Sequence, residues 1–247
     1  MKNNPDRKLT LIAYHYRTDI TVLAKFHNLS LVWFDNLRDL SPLYNVRILS
    51  LESCHSIIDI TPLRKVHTLK LINCSFISDV SALNHVYDLT IDYCQSIRDL
   101  SAFKDGTIHK LTLVRMFNLN LSPLRSVHHL ELRDFYHSSM NIDVSGLNGI
   151  HTLKIINCRD LFDVSALGDV RNLTLEKCPH VRDVSALKRV PNLKIVDCYG
   201  VIQWFGMYLS SREDTFLRYT AIGIGVACWY YVWYKAGVLA SDVSRKN

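Results

Sequence analysis

A leucine followed two residues later by leucine or isoleucine returns at a near-constant interval in this chain, at Leu9, Leu29, Leu49, Leu69, Leu89, Leu111, Leu130, Leu153, Leu173 and Leu193. The steps between successive pairs are 20, 20, 20, 20, 22, 19, 23, 20 and 20 residues. An apolar pair with one residue between is a short strand with one face turned inward. A fixed period of this length stacks such strands in parallel, one per coil, so that each coil buries its apolar side chains against its neighbours. At about 4.8 Å per strand, ten coils make a sheet about 50 Å long.

Two further stations repeat with the leucines. Five residues after the first leucine stands Cys54, Cys74, Cys94, Cys158, Cys178 or Cys198, and the other four coils place Tyr14, Phe34, Met116 and Phe135 there. About ten residues after the leucine comes a D-[ILV]-[ST]-x-[LF] segment, headed by Asp19, Asp39, Asp59, Asp79, Asp99, Asp143, Asp163 and Asp183, with Asn120 heading the variant NLSPL. Asp and Ser/Thr at this spacing can bind turn amides. Pro42, Pro62 and Pro123 suit an extended return on the far side of the coil, and the return is short enough for turns or single 3₁₀ coils rather than full helices.

These residues resemble the leucine-rich-repeat family. The D-I-[ST]-P-L segment is similar to the internalin type and the phosphatase-regulator type. LKLINCSFISD, from Leu69, is similar to the first half of the cysteine-containing repeats of F-box proteins. The near-identical VHTLKLINC and DVSAL blocks resemble repeats expanded in large DNA viruses and protists. The resemblance covers residues 9–198 and implies an α/β-type repeat solenoid dominated by β. It would be a right-handed coil of about ten turns with one parallel sheet on its concave face, plus a C-terminal helix. It also implies that the concave face carries recognition. On the identity of a partner it is silent.

Composition narrows the function further. Residues 1–198 carry 24 Lys and Arg against 20 Asp and Glu, and the remaining 49 carry 5 against 3, so the net charge of +6 is spread thinly. Nucleic-acid binding needs clustered cations, and none is expected here. No G-x-S-x-G, P-loop, H-E-x-x-H or paired cysteine knuckle occurs, so the chain is read as not an enzyme, with no cofactor and no metal site. The opening MKNNPDRK has no apolar run, so a protein that is not secreted, with reduced thiols, is expected.

Candidate site residues follow from the register. Three outward columns flank the strand leucines, and they hold Lys70, Ile72, Thr90, Asp92, Thr112, Val114, Glu131, Arg133, Lys154 and Ile156, with His129 among the first column and Trp33 and Tyr93 just beyond. This polar, Thr-rich face with an aliphatic edge suits a protein partner better than phosphate or a small apolar ligand. A Thr-rich sheet with no partner has the same look. The cysteines form an inward column, and their exchange for Tyr, Phe or Met marks packing rather than chemistry. His27, His67, His109, His128 and His151 share a station two residues before the leucine. His109, His128 and His151 therefore form a row that either titrates or holds a metal, or else simply occupies a solvent edge. Two insertions, 104–109 and 135–141, lengthen single coils. Phe135 and Tyr136 in the second are candidate loop contacts, and drift without function reads equally well.

The chain divides into an N-terminal lead-in (1–8), the solenoid (9–198), a cap or linker (199–218), an apolar segment (219–240) and a polar tail (241–247). Segment 219–240 carries one lysine, Lys235, and gathers Trp229, Tyr230, Tyr231, Trp233 and Tyr234 toward one end like an interfacial belt. It reads as a transmembrane tail anchor that leaves the repeats facing the cytosol, the alternative being a cap on the last coil. Three functions fit: a membrane-tethered protein-recognition module; a structural component, such as a minor shell protein bridging the coat and inner membrane of a large DNA virus; or a soluble adaptor.

Overall fold

A computed structural model of the protein describes residues 8–13, 19–135 and 142–201. Each of the ten repeating pairs lies in a strand: β1 (Leu9–Ile12), β2 (Asn28–Val32), β3 (Ile48–Glu52), β4 (Thr68–Ile72), β5 (Asp88–Asp92), β6 (Lys110–Val114), β7 (His129–Arg133), β8 (Thr152–Ile156), β9 (Asn172–Glu176) and β10 (Asn192–Val196). They form one parallel sheet in sequence order, each strand beside the next. The register joins equivalent stations: Leu49 pairs with Leu69, Leu69 with Leu89 and Leu89 with Leu111. A one-residue slip would turn every leucine outward, so burial of one face locks this register.

The inward stations build one continuous core. In the coil that begins at β4 they are Leu69, Leu71, Cys74, Ile77, Val80, Leu83 and Val86, all buried. Truncating such a leucine to alanine costs about 2–5 kcal/mol. At the ends the packing thins: Leu9 and Leu11 of β1, and Leu193 and Ile195 of β10, are only partly buried. Beyond β10, residues 199–201 are helical. There the Gly200 N–H donates to Pro179 O at 3.1 Å, and a Cβ on Gly200 would lie 2.5 Å from the carbonyl oxygens of Pro179 and Val181, so only glycine fits. The expected lead-in, apart from residue 8, and the cap, tail-anchor and tail segments from 202 onward lie outside the described residues.

The return side of each coil is a short 3₁₀ segment, as in Thr61–Lys65, Ser81–Leu83 and Ser101–Phe103. Its start is set by the aspartate: the Ser81 N–H donates to Asp79 Oδ1 at 2.8 Å, and the same bond recurs from Ser101 to Asp99 and from Ser165 to Asp163. Asn120 does the same for Ser122 at 3.0 Å. Pro42, Pro62 and Pro123 sit in the first turn of their 3₁₀ segments rather than in an extended return, because a fixed φ near −65° suits that turn and proline's missing N–H costs nothing where the turn has no acceptor for one.

One station escapes the sequence pattern. The residue after each of β2 to β10 has positive φ: Trp33, Ser53, Asn73, Tyr93, Arg115, Asp134, Asn157, Lys177 and Asp197, all between 51° and 60°. This left-handed step turns the chain out of the strand and aims the next side chain, the cysteine station, into the core. It also extends the ladder by one bond: the N–H of Trp33 donates to Glu52 O at 2.9 Å, and that of Tyr93 to Val114 O at 3.0 Å.

Candidate functional site

The register brings ten of the expected residues together. Lys70, Thr90, Thr112, Glu131 and Lys154 lie side by side in one column across β4 to β8, and Ile72, Asp92, Val114, Arg133 and Ile156 form the next. Thr112 is buried among its neighbours and contributes little surface. Tyr93 borders this patch at the left-handed station. Trp33 stands at the same station three coils earlier, about 14 Å away at the strand spacing.

Charges on this face are arranged in opposite-sign contacts. Arg115, which the sequence reading passed over, reaches back to Asp92 at 2.7 Å and lies over the Tyr93 ring, 5.5 Å from its centroid. Tyr93 also meets Phe117 edge-on at 6.4 Å. Glu131 contacts Arg133 on its own strand and Lys154 on the next at 3.5 Å, and Lys110 lies 3.4 Å from Asp88. Such exposed pairs stabilise the fold by about 0–1 kcal/mol each, so their main effect is to set the pattern of charge. Arg115, at the left-handed station after β6, is brought onto Asp92 and Tyr93 of the preceding coil.

Along one border of the sheet the histidine station forms a stack of rings. His67 lies on Tyr87 (4.8 Å between centroids), Tyr87 on His109 (4.6 Å), His109 on His128 (4.8 Å) and His128 on His151 (4.1 Å), all near parallel. The expected row of His109, His128 and His151 is therefore present, lengthened at one end by Tyr87 and His67. His129, expected only as an outward position of β7, joins it. Its ring stands across His128 and His109 at centroid distances of 4.4 and 4.9 Å. The consecutive pair His128-His129 was the available signal. Loss of solvation, together with repulsion from neighbouring histidines, holds both His128 and His129 below the ordinary histidine pKa.

The cysteine column is inward and its thiols are free. Burial pushes the thiols of Cys54 and Cys158 up to about 12. Each thiol donates to strand carbonyls, Cys54 to Glu52 O at 3.5 Å and Cys74 to Leu51 O at 3.6 Å. Phe135 belongs with them: it is 5% exposed and fills the cysteine station of its coil, so it offers no loop contact, contrary to the expectation from the insertion. Tyr136 lies outside the described residues. The insertion 104–109 folds back on the preceding coil, with Thr107 N–H donating to Asn84 O at 2.9 Å and Ile108 buried. Among the described residues, two shallow hollows lie between adjacent Asp-Ser turns, at Asp79–Asp99 and Asp163–Asp183. Their carboxylates already accept turn N–H groups, so the hollows are grooves between coils.

Neither a protein-family model nor a curated protein matches the chain. Solved structures do. An internalin (InlF) of Listeria monocytogenes aligns at 24% identity and a TM-score of 0.50, over 73% of this chain and 57% of that one. The chain thus spans little more than half the length of that internalin. Internalin C2 of the same organism aligns at 23% identity and a TM-score of 0.43, over 76% of this chain and 80% of its own. At this identity the likeness to InlF concerns the fold alone. The chain folds as a β-dominated leucine-rich-repeat solenoid, the fold that this internalin also has.

Proposed function

We propose that the solenoid is a non-catalytic protein-recognition module that works through its exposed sheet face, centred on β4 to β8. The observation that carries this reading is the placement of Trp33 and Tyr93. Both are large aromatics, 39% and 37% exposed, held at a left-handed station where asparagine or aspartate sits more easily. That conformation costs a bulky residue about 1–2 kcal/mol. Rigid aromatics beside a charged, patterned patch are what protein interfaces use as anchors. The fold shared with internalins is compatible with this role.

The apolar segment 219–240 adds the second half of the proposal, a membrane tether that leaves the repeats in the cytosol. Its support is the sequence alone. No helix among the described residues is long and apolar enough to cross a membrane, and 219–240 lies outside them. Two experiments test the two halves. A photo-crosslinking residue at Thr90 or Lys154 should trap the same protein partner in cells, whereas one at Ala102 on the return side should not. Equal trapping from both faces counts against the sheet face. Alkaline carbonate extraction of membranes, comparing the full chain with one ending at Ser211, should leave only the full chain in the pellet. A soluble full chain with an aggregating truncation makes the segment a cap.

A further inference from the structure

Stacked rings by themselves are packing, and a row of aromatics along a parallel sheet needs no ligand. His129 breaks that description. Its ring is turned 73° from His109 and 62° from His128, so its edge points across the stack instead of joining it. One nitrogen from each of His109, His128 and His129 lies within 4.8 Å of the others. Tetrahedral coordination at 2.0–2.1 Å per Zn–N bond sets ligand nitrogens about 3.4 Å apart. The difference is roughly an ångström per pair, which rotation of side-chain torsions supplies.

The backbone beneath the three rings is already fixed. The His129 N–H donates to His109 O at 2.8 Å, and the Thr152 N–H to His128 O at 3.0 Å. Only the rings need adjust, and His128 is exposed while His109 and His129 are half-buried. His151 backs the cluster: it stacks on His128 at 4.1 Å while its Nδ1 shares a hydrogen bond with the Thr152 hydroxyl at 3.0 Å. Lys110, the register partner of His129 on β6, pairs with Asp88 at 3.4 Å.

We propose that His109, His128 and His129 form a three-imidazole site for a borderline divalent transition-metal ion of the Zn²⁺ class, at the border of the exposed sheet face. Three imidazole nitrogens suit Zn²⁺, Co²⁺, Ni²⁺ or Cu²⁺ and disfavour Mg²⁺ and Ca²⁺, which take oxygen ligands. Three protein ligands leave a fourth position open to water. The sequence motifs led to no metal site being expected and left one open only for the row of His109, His128 and His151; the site proposed here takes His129 in place of His151. It stands apart from the protein-recognition proposal, since no partner enters the site.

The test is titration of the metal-free full chain with Co²⁺ and then Zn²⁺. One equivalent of Co²⁺ should bind with the visible absorption of a tetrahedral site, and Zn²⁺ should displace it. His128→Ala and His129→Asn should each weaken binding about tenfold or more, at least as much as loss of an outer-shell partner does. His27→Ala, at the same station but far from the cluster, should leave binding unchanged. Circular dichroism checks that each variant is folded. Imidazole NMR signals of the unsubstituted chain report the three rings directly, so a variant that fails to fold does not leave the matter open. Absence of uptake at millimolar Zn²⁺, or uptake that survives loss of His129, overturns the proposal and leaves the stack as packing.

Discussion

The sulfur of Cys94 accepts the backbone N–H of Cys74, one coil before it, at 3.4 Å. The same thiol donates to Leu71 O at 3.6 Å, and the pair Cys178 and Cys198 repeats the first contact at 3.4 Å. A thiol therefore does two jobs at this station: it fills a small inward space and it ties the left-handed turn of one coil to the strand of another. Serine preserves the donor and loses volume, and alanine loses both. Cys94→Ala is expected to lower stability by about 1–2 kcal/mol, read from the urea midpoint at constant m-value.

The same burial makes a chemical prediction. With their thiols raised to about 12, Cys54 and Cys158 hold only about one part in ten thousand as thiolate at pH 8. Iodoacetamide should label neither in the folded protein and both in urea, as read by mass spectrometry of the peptides. Rapid labelling without denaturant would place these cysteines at the surface and break the inward column.

The aspartate turns predict how the solenoid responds to acid. Each of Asp39, Asp59, Asp79, Asp99, Asp143, Asp163 and Asp183 is held below the ordinary carboxylate pKa by hydrogen bonds from the Ser or Thr two residues on. A depressed folded pKa stabilises the fold above the unfolded value, near 3.8, and that contribution is lost as pH falls through the folded values. The aspartates' contribution should be constant from pH 7 to 5 and fall steeply below 4. Asp99→Asn keeps the acceptor, as Asn120 does naturally, so it should retain the neutral-pH midpoint and blunt the acid loss. Asp99→Ala should lower the midpoint at every pH.

At the left-handed station Lys177 follows Asn157, whose side-chain amide donates to Asp134 one coil earlier. Asparagine adopts this conformation more easily than lysine, and it can extend the side-chain ladder. Lys177→Asn is expected to stabilise the protein by about 0.5–1 kcal/mol, as a raised Tm. A drop of similar size would mean that the Lys177 side chain packs more than it strains.

How much of this was legible depended on whether a feature has a side-chain signature. The strands, their register and the cysteine column were legible because burial of a given station selects apolar residues every 20 positions. The left-handed station was not: Trp33, Ser53, Asn73, Tyr93, Arg115 and Lys177 share a backbone angle and no side-chain type. Only Asn73, Asp134, Asn157 and Asp197 hinted at it. Arg115 was missed for the same reason, since its approach to Asp92 depends on that turn. Phe135 carried two signals, an insertion beside it and a core station beneath it, and the core volume decided. His129 read as one more outward residue, because alternation along a strand sends neighbours to opposite faces. His128 precedes the strand, however, so the two rings meet.

That meeting sets the last prediction. His128 and His129 are held below the ordinary histidine value of 6.5 by loss of solvation and by the mutual repulsion of His109, His128, His129 and His151, with Lys110 adding to it at His129. A histidine whose folded pKa is depressed takes up its proton more readily in the unfolded chain. Stability is therefore full above about pH 6.5 and falls as pH drops through the window between the unfolded and folded values. In metal-free buffer the urea midpoint should decline from pH 7.5 to 5.5, a range in which the aspartates are silent. Tyrosine already occupies this stack at Tyr87, so His128→Tyr preserves the ring contacts and removes one titrating group. The variant should match the natural chain at pH 7.5 and lose less stability at pH 5.5. If its midpoint falls in parallel with the natural chain, the pH dependence does not arise in this cluster.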